Sequence, residues 1–160
     1  MGKELEKTNV MRILDQKQIP YKEYNYNCNE ALSGIEVARI LKKDPDHVFK
    51  TLVTIGKSGE HYVFVIPVAQ ELDLKKAARA VSEKNIEMVK SKELLPLTGY
   101  IHGGCSPIGM KKFFKTTIDE TAILFDTILF SAGKIGFQVE VPLDMLSKVI
   151  AYELADLTVK

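Results

Sequence analysis

Two stretches of this sequence hold residue types and spacings that could do chemistry. One is a lysine set among apolar residues, VFKTLVTI at 48–55, and the other is a glycine-rich loop, GYIHGGCSPIG at 99–109. If VFKTLVTI is a strand, Val48, Lys50, Leu52 and Thr54 share one face and Phe49, Thr51, Val53 and Ile55 the other. Neither face is plainly made for water. Lys50 then either snorkels to a sheet edge or stands in a cleft as a fixed ammonium, able to hold a phosphate, carbonyl or carboxylate. In the loop, Gly99, Gly103, Gly104 and Gly109 permit positive φ and close backbone approach. Successive N–H groups around such glycines can form a concave nest for an anion or a developing oxyanion. Ser106-Pro107 adds a hydroxyl and a rigid turn. The plainer reading is a tight turn between two strands.

Cys105 sits in this loop, three residues after His102. A cysteine nucleophile needs a base near it in space and a depressed pKa, and proximity in sequence supplies neither. As metal ligands the pair is incomplete. Cys28, His47 and His61 are scattered, and there is no CxxC or HExxH, so neither a metal nor a cofactor is expected. A small loop cysteine that packs as a weak hydrophobe is the preferred reading. A third cluster, SAGKIGFQVEV at 131–141, places Gly133 and Gly136 around Lys134 in a hairpin-like turn. Ser131 closes the preceding strand, where it could line a pocket. Asp119, Asp126 and Asp144 lack the pairing of an acid–base dyad.

The elements that position these residues follow from local pattern. Thr8 caps a helix over Val10, Ile13 and Leu14 that ends before Ile19-Pro20. Tyr21 to Tyr26 alternates as a short strand. Ser33 and Glu36 form a capping-box pair before a helix that runs to about Lys43, stopped by Asp44-Pro45. VFKTLVTIG and HYVFVIPVA, with Lys57-Ser58-Gly59-Glu60 between them, form a β-hairpin. Asp73 caps a helix over Leu74, Ala77, Ala78 and Val81. IEMV is a brief strand, and Ser91 to Leu94 make one helical turn before Pro96. FKTTI, TILFSA and FQVEV are strands, and Pro142 opens a helix over Leu143, Leu146, Val149 and Ile150. Strands outnumber helices and are joined by short turns. The expected fold is a mixed or largely antiparallel sheet with helices around it.

The chain has 160 residues, 46% of them hydrophobic, enough for one compact domain with a core. A net charge of +1 argues against an independent, tight nucleic-acid binder while leaving room for a local basic patch. No apolar run approaches the ~20 residues of a membrane helix. The charged start MGKELEKTNVMRIL lacks a signal-peptide core, and Glu6 occupies the place where myristoylation needs Ser or Thr. A reduced, cytoplasmic setting is expected.

Several of these segments, in this order, resemble the YbaK family of Cys-tRNA(Pro) deacylases, within the bacterial prolyl-tRNA synthetase editing-domain superfamily. They are FKTL at 49–52, LDLKKAA at 72–78, TGYIHGGCSPIGMKK at 98–112, SAGKIG at 131–136 and ADLT at 155–158. The resemblance implies an α/β single domain over 1–160, with a twisted, mostly antiparallel, barrel-like mixed sheet surrounded by helices. It implies an enzyme that removes cysteine mischarged onto tRNA(Pro), acting on aminoacyl-tRNA in trans beside prolyl-tRNA synthetase, with no membrane and no metal. By the same resemblance the essential lysine falls on Lys50. The GxxxP loop falls on Gly103, Gly104, Cys105, Ser106 and Pro107, and the pocket residues fall on Tyr26, Ser131 and Gly133. Some members carry an acid where this chain has Gln138. The nucleophile implied is the substrate's own thiol, with the Gly104, Cys105 and Ser106 N–H groups as oxyanion donors. Lys111, Lys112 and Lys115, beside the loop, are candidate contacts to the acceptor stem. A deacylase for another small amino acid on tRNA, or a non-catalytic module that binds tRNA ends or a synthetase, are the alternatives.

Overall fold

The computed structural model describes residues 7–27 and 31–160. Cys28, weighed above as a metal ligand, lies outside the described residues. Among the described residues eight strands and five α-helices follow one another in the order α1 (Asn9–Gln16), β1 (Lys22–Asn25), α2 (Gly34–Leu41), β2 (Phe49–Gly56), β3 (His61–Pro67), α3 (Leu74–Ala80), β4 (Ile86–Met88), α4 (Ser91–Thr98), β5 (Lys115–Asp119), β6 (Thr127–Ser131), β7 (Phe137–Pro142), α5 (Leu143–Leu146) and β8 (Tyr152–Ala155). A 3-10 turn over Glu120–Leu124 joins β5 to β6.

The helix starts follow the capping chemistry. Thr8 accepts from Met11 N–H at the head of α1, and Asp73 accepts from Lys75 and Lys76 N–H at the head of α3. Ser33 and Glu36 close both bonds of the capping box on α2. Two helices depart from the expected lengths. α4 runs through Pro96 to Thr98. Pro96, the sixth of its eight residues, removes the one ladder bond that would have gone to Lys92 O, and the Thr98 hydroxyl donates to Leu94 O at 2.8 Å in the last turn. α5 stops at Leu146, and Val149 and Ile150 follow in tight turns. β8 adds a strand that the sequence pattern does not announce, because YELA alternates weakly and is ordered by its pairing with β5.

The strands form two sheets, ordered β4-β2-β3-β5-β8 and β1-β7-β6. β2, β3 and β4 pair antiparallel, while β3–β5 and β5–β8 are parallel, so the larger sheet is mixed. The central strand β3 is buried on both faces. Val63 and Val65 point into the main core with Phe49, Val53, Ile118, Phe130, Val139 and the α1 residues Met11 and Leu14. Phe64 and Ile66 point the other way, under Ala77 and Ala78 of α3.

The sheets do not close into the expected barrel. Among the described residues β6 is bridged to the start of β2 at one place, by the parallel Val48–Leu129 bridge with Leu129 N–H donating to His47 O. It runs out at Ser131, whose hydroxyl accepts from Gly133 N–H at 3.1 Å and turns the chain into the 132–136 loop. On the same edge of β2, pairing resumes where Val89 N–H donates to Val53 O. The alternation of an antiparallel strand turns the N–H and C=O of Phe49 and Thr51 to the side that Val53 uses. Among the described residues no bridge joins this edge of β2 to β6 or β4 between Val48 and Val53, so the edge is open at Thr51, beside Lys50.

The two glycine loops that flank this gap interlock around Tyr100. Its hydroxyl donates to Ile108 O at 2.5 Å, and burial pushes its pKa up to about 12, which keeps the proton in place as donor. Gly133 has φ +92°, and a Cβ there would sit 2.9 Å from Tyr100 Cε1 and 3.2 Å from Val10 Cγ2. Gly133→Ala is expected to destabilise the fold by more than ~1 kcal/mol, since it adds both a clash and a left-handed backbone conformation to an L-residue. Chemical denaturation reads this as a lower midpoint at unchanged slope.

Candidate functional site

A cavity of about 360 Å³ opens at the unpaired edge of β2. This lies at the small end of the ~300–1,000 Å³ typical of ligand pockets. Its floor is β2 from Val48 to Leu52. One wall is the start of α2, where Gly34 is needed because a Cβ would come within 2.4 Å of Val68 Cγ1. The other walls are Leu94 of α4, the loop residues His102, Gly103 and Cys105, and Ser131 and Gln138 from the paired strands β6 and β7.

Of the expected site residues, Lys50, Gly103, Cys105 and Ser131 line this cavity. Gly104 and Ser106 are not in the described lining. Pro107 lines a separate hollow of about 190 Å³ with Lys112 and Phe113. Gly133 packs on Tyr100 rather than facing the cavity. Tyr26 is not in the described lining, and its backbone N–H donates to Gly136 O at 3.0 Å. Lys111 and Lys112 are exposed, and Lys115 pairs with Glu153 at 3.7 Å. A larger cavity of about 430 Å³, between the 3-10 turn and the C-terminal segment, holds none of the expected residues.

Lys50 forms no hydrogen bond or ion pair among the described residues. Burial lowers its pKa from the ordinary 10.5, and the Glu71 carboxylate opposes that shift. No Asp or Glu is among the described residues of the lining. The ammonium is thus partly desolvated in a cavity whose described lining holds no carboxylate, an arrangement suited to an incoming phosphate or carbonyl oxygen.

The glycine loop works through its backbone. Ile101 to Gly104 form a turn in which Gly104 N–H donates to Ile101 O at 3.0 Å, with Gly103 at φ +88°. Its tip is packed tightly: a Cβ on Gly103 would reach 2.5 Å from Ala31 Cβ, and one on Gly104 3.2 Å from Ile135 N. The Gly104 N–H expected as an oxyanion donor is therefore already engaged. The N–H groups of Cys105 and Ser106 have no acceptor among the described residues. The Ser106 side chain is fully buried, and its Oγ accepts from Ile108 N–H at 3.3 Å, which shapes the loop from within. Burial pushes the Cys105 thiol up to about 12, only weakly opposed by Thr98. This is the opposite of the depressed pKa a thiol nucleophile needs.

Sequence reasoning missed two parts of this site. Thr51 lines the cavity beside Lys50, and the start of α2 forms a wall. The Ser33–Glu36 capping box located that helix start but gave no sign of where in the fold it lands.

The arrangement defines a class of site: a strand edge opening onto a small pocket with one unpaired lysine and a glycine loop facing it. The chain matches the aminoacyl-tRNA editing domain over residues 29–149, and it belongs to that family. A relative from Enterococcus faecalis (strain ATCC 700802 / V583), named "Putative Cys-tRNA(Pro)/Cys-tRNA(Cys) deacylase EbsC", is 46% identical over 156 residues, 97% of this chain and 95% of its own. Two solved structures share the fold. One, described as "a putative trans-editing enzyme for prolyl tRNA synthetase", has a TM-score of 0.80 at 21% identity, over 96% of this chain and 99% of its own. The other, hypothetical protein APE2540, has a TM-score of 0.83 at 18% identity, over 94% and 99%.

Two measurements test the electrostatics. With Cys28 replaced by serine, the remaining Cys105 thiol is expected to react with a disulfide reagent at pH 8 at least about a hundredfold slower in the folded protein than after unfolding. A Cys105 that reacts at the unfolded rate would contradict a buried, protonated thiol. For Lys50, the folded pKa lies below the unfolded value, so holding the charge costs folding free energy at neutral pH, and that cost fades as pH rises toward 10.5. Lys50→Met is therefore expected to melt at or above the wild-type temperature at pH 7, with the difference shrinking by pH 10.

Proposed function

We propose that this protein is a trans-editing deacylase that removes cysteine mischarged onto tRNA(Pro), with the substrate's own thiol as nucleophile. The observation that carries this reading is the pairing, in one small cavity, of an unpartnered Lys50 with a loop whose only thiol is inert. The family membership and the name of the 46% identical relative support the same chemistry.

Lys50 binds the terminal ribose or phosphate oxygens and sets the ester at the open edge of β2. The cysteinyl sulfur, as thiolate, attacks its own ester carbonyl carbon. A C–S bond forms, the C–O bond to ribose breaks, the proton ends on the ribose oxygen, and a cyclic thiolactone leaves. Held geometry makes this attack effectively unimolecular, which can contribute several kcal/mol. The Cys105 and Ser106 N–H groups stabilise the oxyanion while it exists. Ser131 shapes the end of the pocket, and Tyr26 supports the 136 turn behind it.

The editing unit on this reading spans 1–160, since α1 fills the main core and β8 extends the larger sheet. Grip on the tRNA body is weak. The net charge is +1, and of the three lysines by the loop Lys115 is engaged with Glu153. Prolyl-tRNA synthetase, in the cytoplasm, would supply mischarged tRNA by effective concentration. Among the described residues no helix is long and apolar enough to cross a membrane.

Single-turnover deacylation of Cys-tRNA(Pro) tests the reading. Lys50→Ala is expected to lose about a hundredfold or more in rate, the scale on which a group stabilising developing charge acts. Cys105→Ala stays near wild type. Ser-tRNA(Pro) and Ala-tRNA(Pro), which lack the thiol, persist. A folded but inactive Cys105→Ala would make the loop cysteine the nucleophile. Equal cleavage of Ala-tRNA(Pro) would point to an activated water. Binding of Cys-tRNA(Pro) without turnover by any of the proteins would leave a binding module.

A further inference from the structure

Among the described residues, two buried side-chain polar atoms have no hydrogen-bond partner, Thr51 Oγ1 and Gln138 Oε1. Both residues line the cavity at the open edge of β2. Gln138 is only 6% exposed. A buried acceptor without a donor costs about 1–3 kcal/mol, and native folds seldom leave two in one place. Nothing in the packing calls for them, since Val139 beside Gln138 and Val53 beyond Thr51 fill the core. Both oxygens can accept from a donor that enters the cavity.

We infer that Thr51 and Gln138 form an acceptor pair that reads the free α-ammonium of the aminoacyl group and so selects against N-acylated esters. The inference deepens the deacylase reading and rests on it for the kind of ester bound. Of the donors on an aminoacylated 3′ end, the ammonium alone offers three N–H groups and a full charge on one atom. The outward-turned carbonyl of Thr51 on the strand edge is a third acceptor for it. The charge pattern fixes the orientation. Lys50 is the one cation of the described lining, which holds no carboxylate, so an ammonium entering the cavity is driven from the Lys50 end toward the neutral acceptors. The carbonyl and ribose oxygens are drawn to Lys50. Acylating the amine removes its charge and two of its donors, and adds bulk to a cavity of about 360 Å³. Peptidyl and formylated ends are thereby spared.

The test uses two unhydrolysable probes, cysteinyl-adenosine joined through a 3′ amide, with its α-amine free or acetylated. Titration of the full chain is expected to show about tenfold or tighter binding of the free amine, the scale of a hydrogen bond to a charged group. Gln138→Met, similar in size but with no oxygen, is expected to bring the two affinities together by weakening the free-amine probe alone, and Gln138→Glu to restore the gap. A merely structural role for Gln138 would weaken both probes alike. Equal affinity for the two probes in wild type, no binding of either, or an unchanged ratio in a folded Gln138→Met overturns the inference. The wild-type comparison needs no variant, so it decides even where Gln138→Met does not fold. A wild type that prefers the free amine yet cleaves no Cys-tRNA(Pro) would sink the deacylase reading and leave the acceptor pair standing.

Discussion

The outer edge of β2 carries the arrangement of this protein. One side of the strand is fully paired with β3, while the other is shared by two short strands that do not meet. β6 takes it at His47 and Val48, and β4 takes it from Val53 onward. What lies between cannot be filled by backbone, so the ends of α2 and α4 and the glycine loop gather around it. The cavity is the consequence of a sheet that nearly closes and stops short.

Keeping that gap at one size falls to contacts far apart in sequence. Tyr100 is clasped between the loop it begins and the 131–136 turn, with Val10 of α1 behind Gly133. The glycines here matter less for flexibility than for letting two backbones and a ring approach closely. The same packing buries Cys105 and removes its reactivity, so a residue type associated with catalysis becomes part of a wall.

Much of the secondary structure was legible because its signals are local. Thr8, Ser33, Glu36 and Asp73 act within one helical turn, and the β2–β3 hairpin is marked by alternation around a four-residue turn. Lys50, Gly103, Cys105 and Ser131 were also found from local pattern and resemblance, and the fold brings them to one cavity. What was not legible depends on partners distant in the chain. YELA becomes a strand only because β5 offers it an edge. The barrel fails to close because β6 ends at the Ser131–Gly133 bond, which no periodicity announces. Gln138 was noticed for lacking a charge, yet its buried oxygen is visible only once β7 is laid beside β6.

Open strand edges are dangerous to soluble proteins, since they invite pairing with another chain and growth into aggregates. Here the opening is bounded on both sides, at Val48 just before β2 and at Val53 within it, and strand alternation leaves the main chain of Thr51 facing the gap. An intruding strand would find no run long enough to zip along. The fold thus keeps the chemical usefulness of unpaired backbone and denies it to anything longer than about one residue.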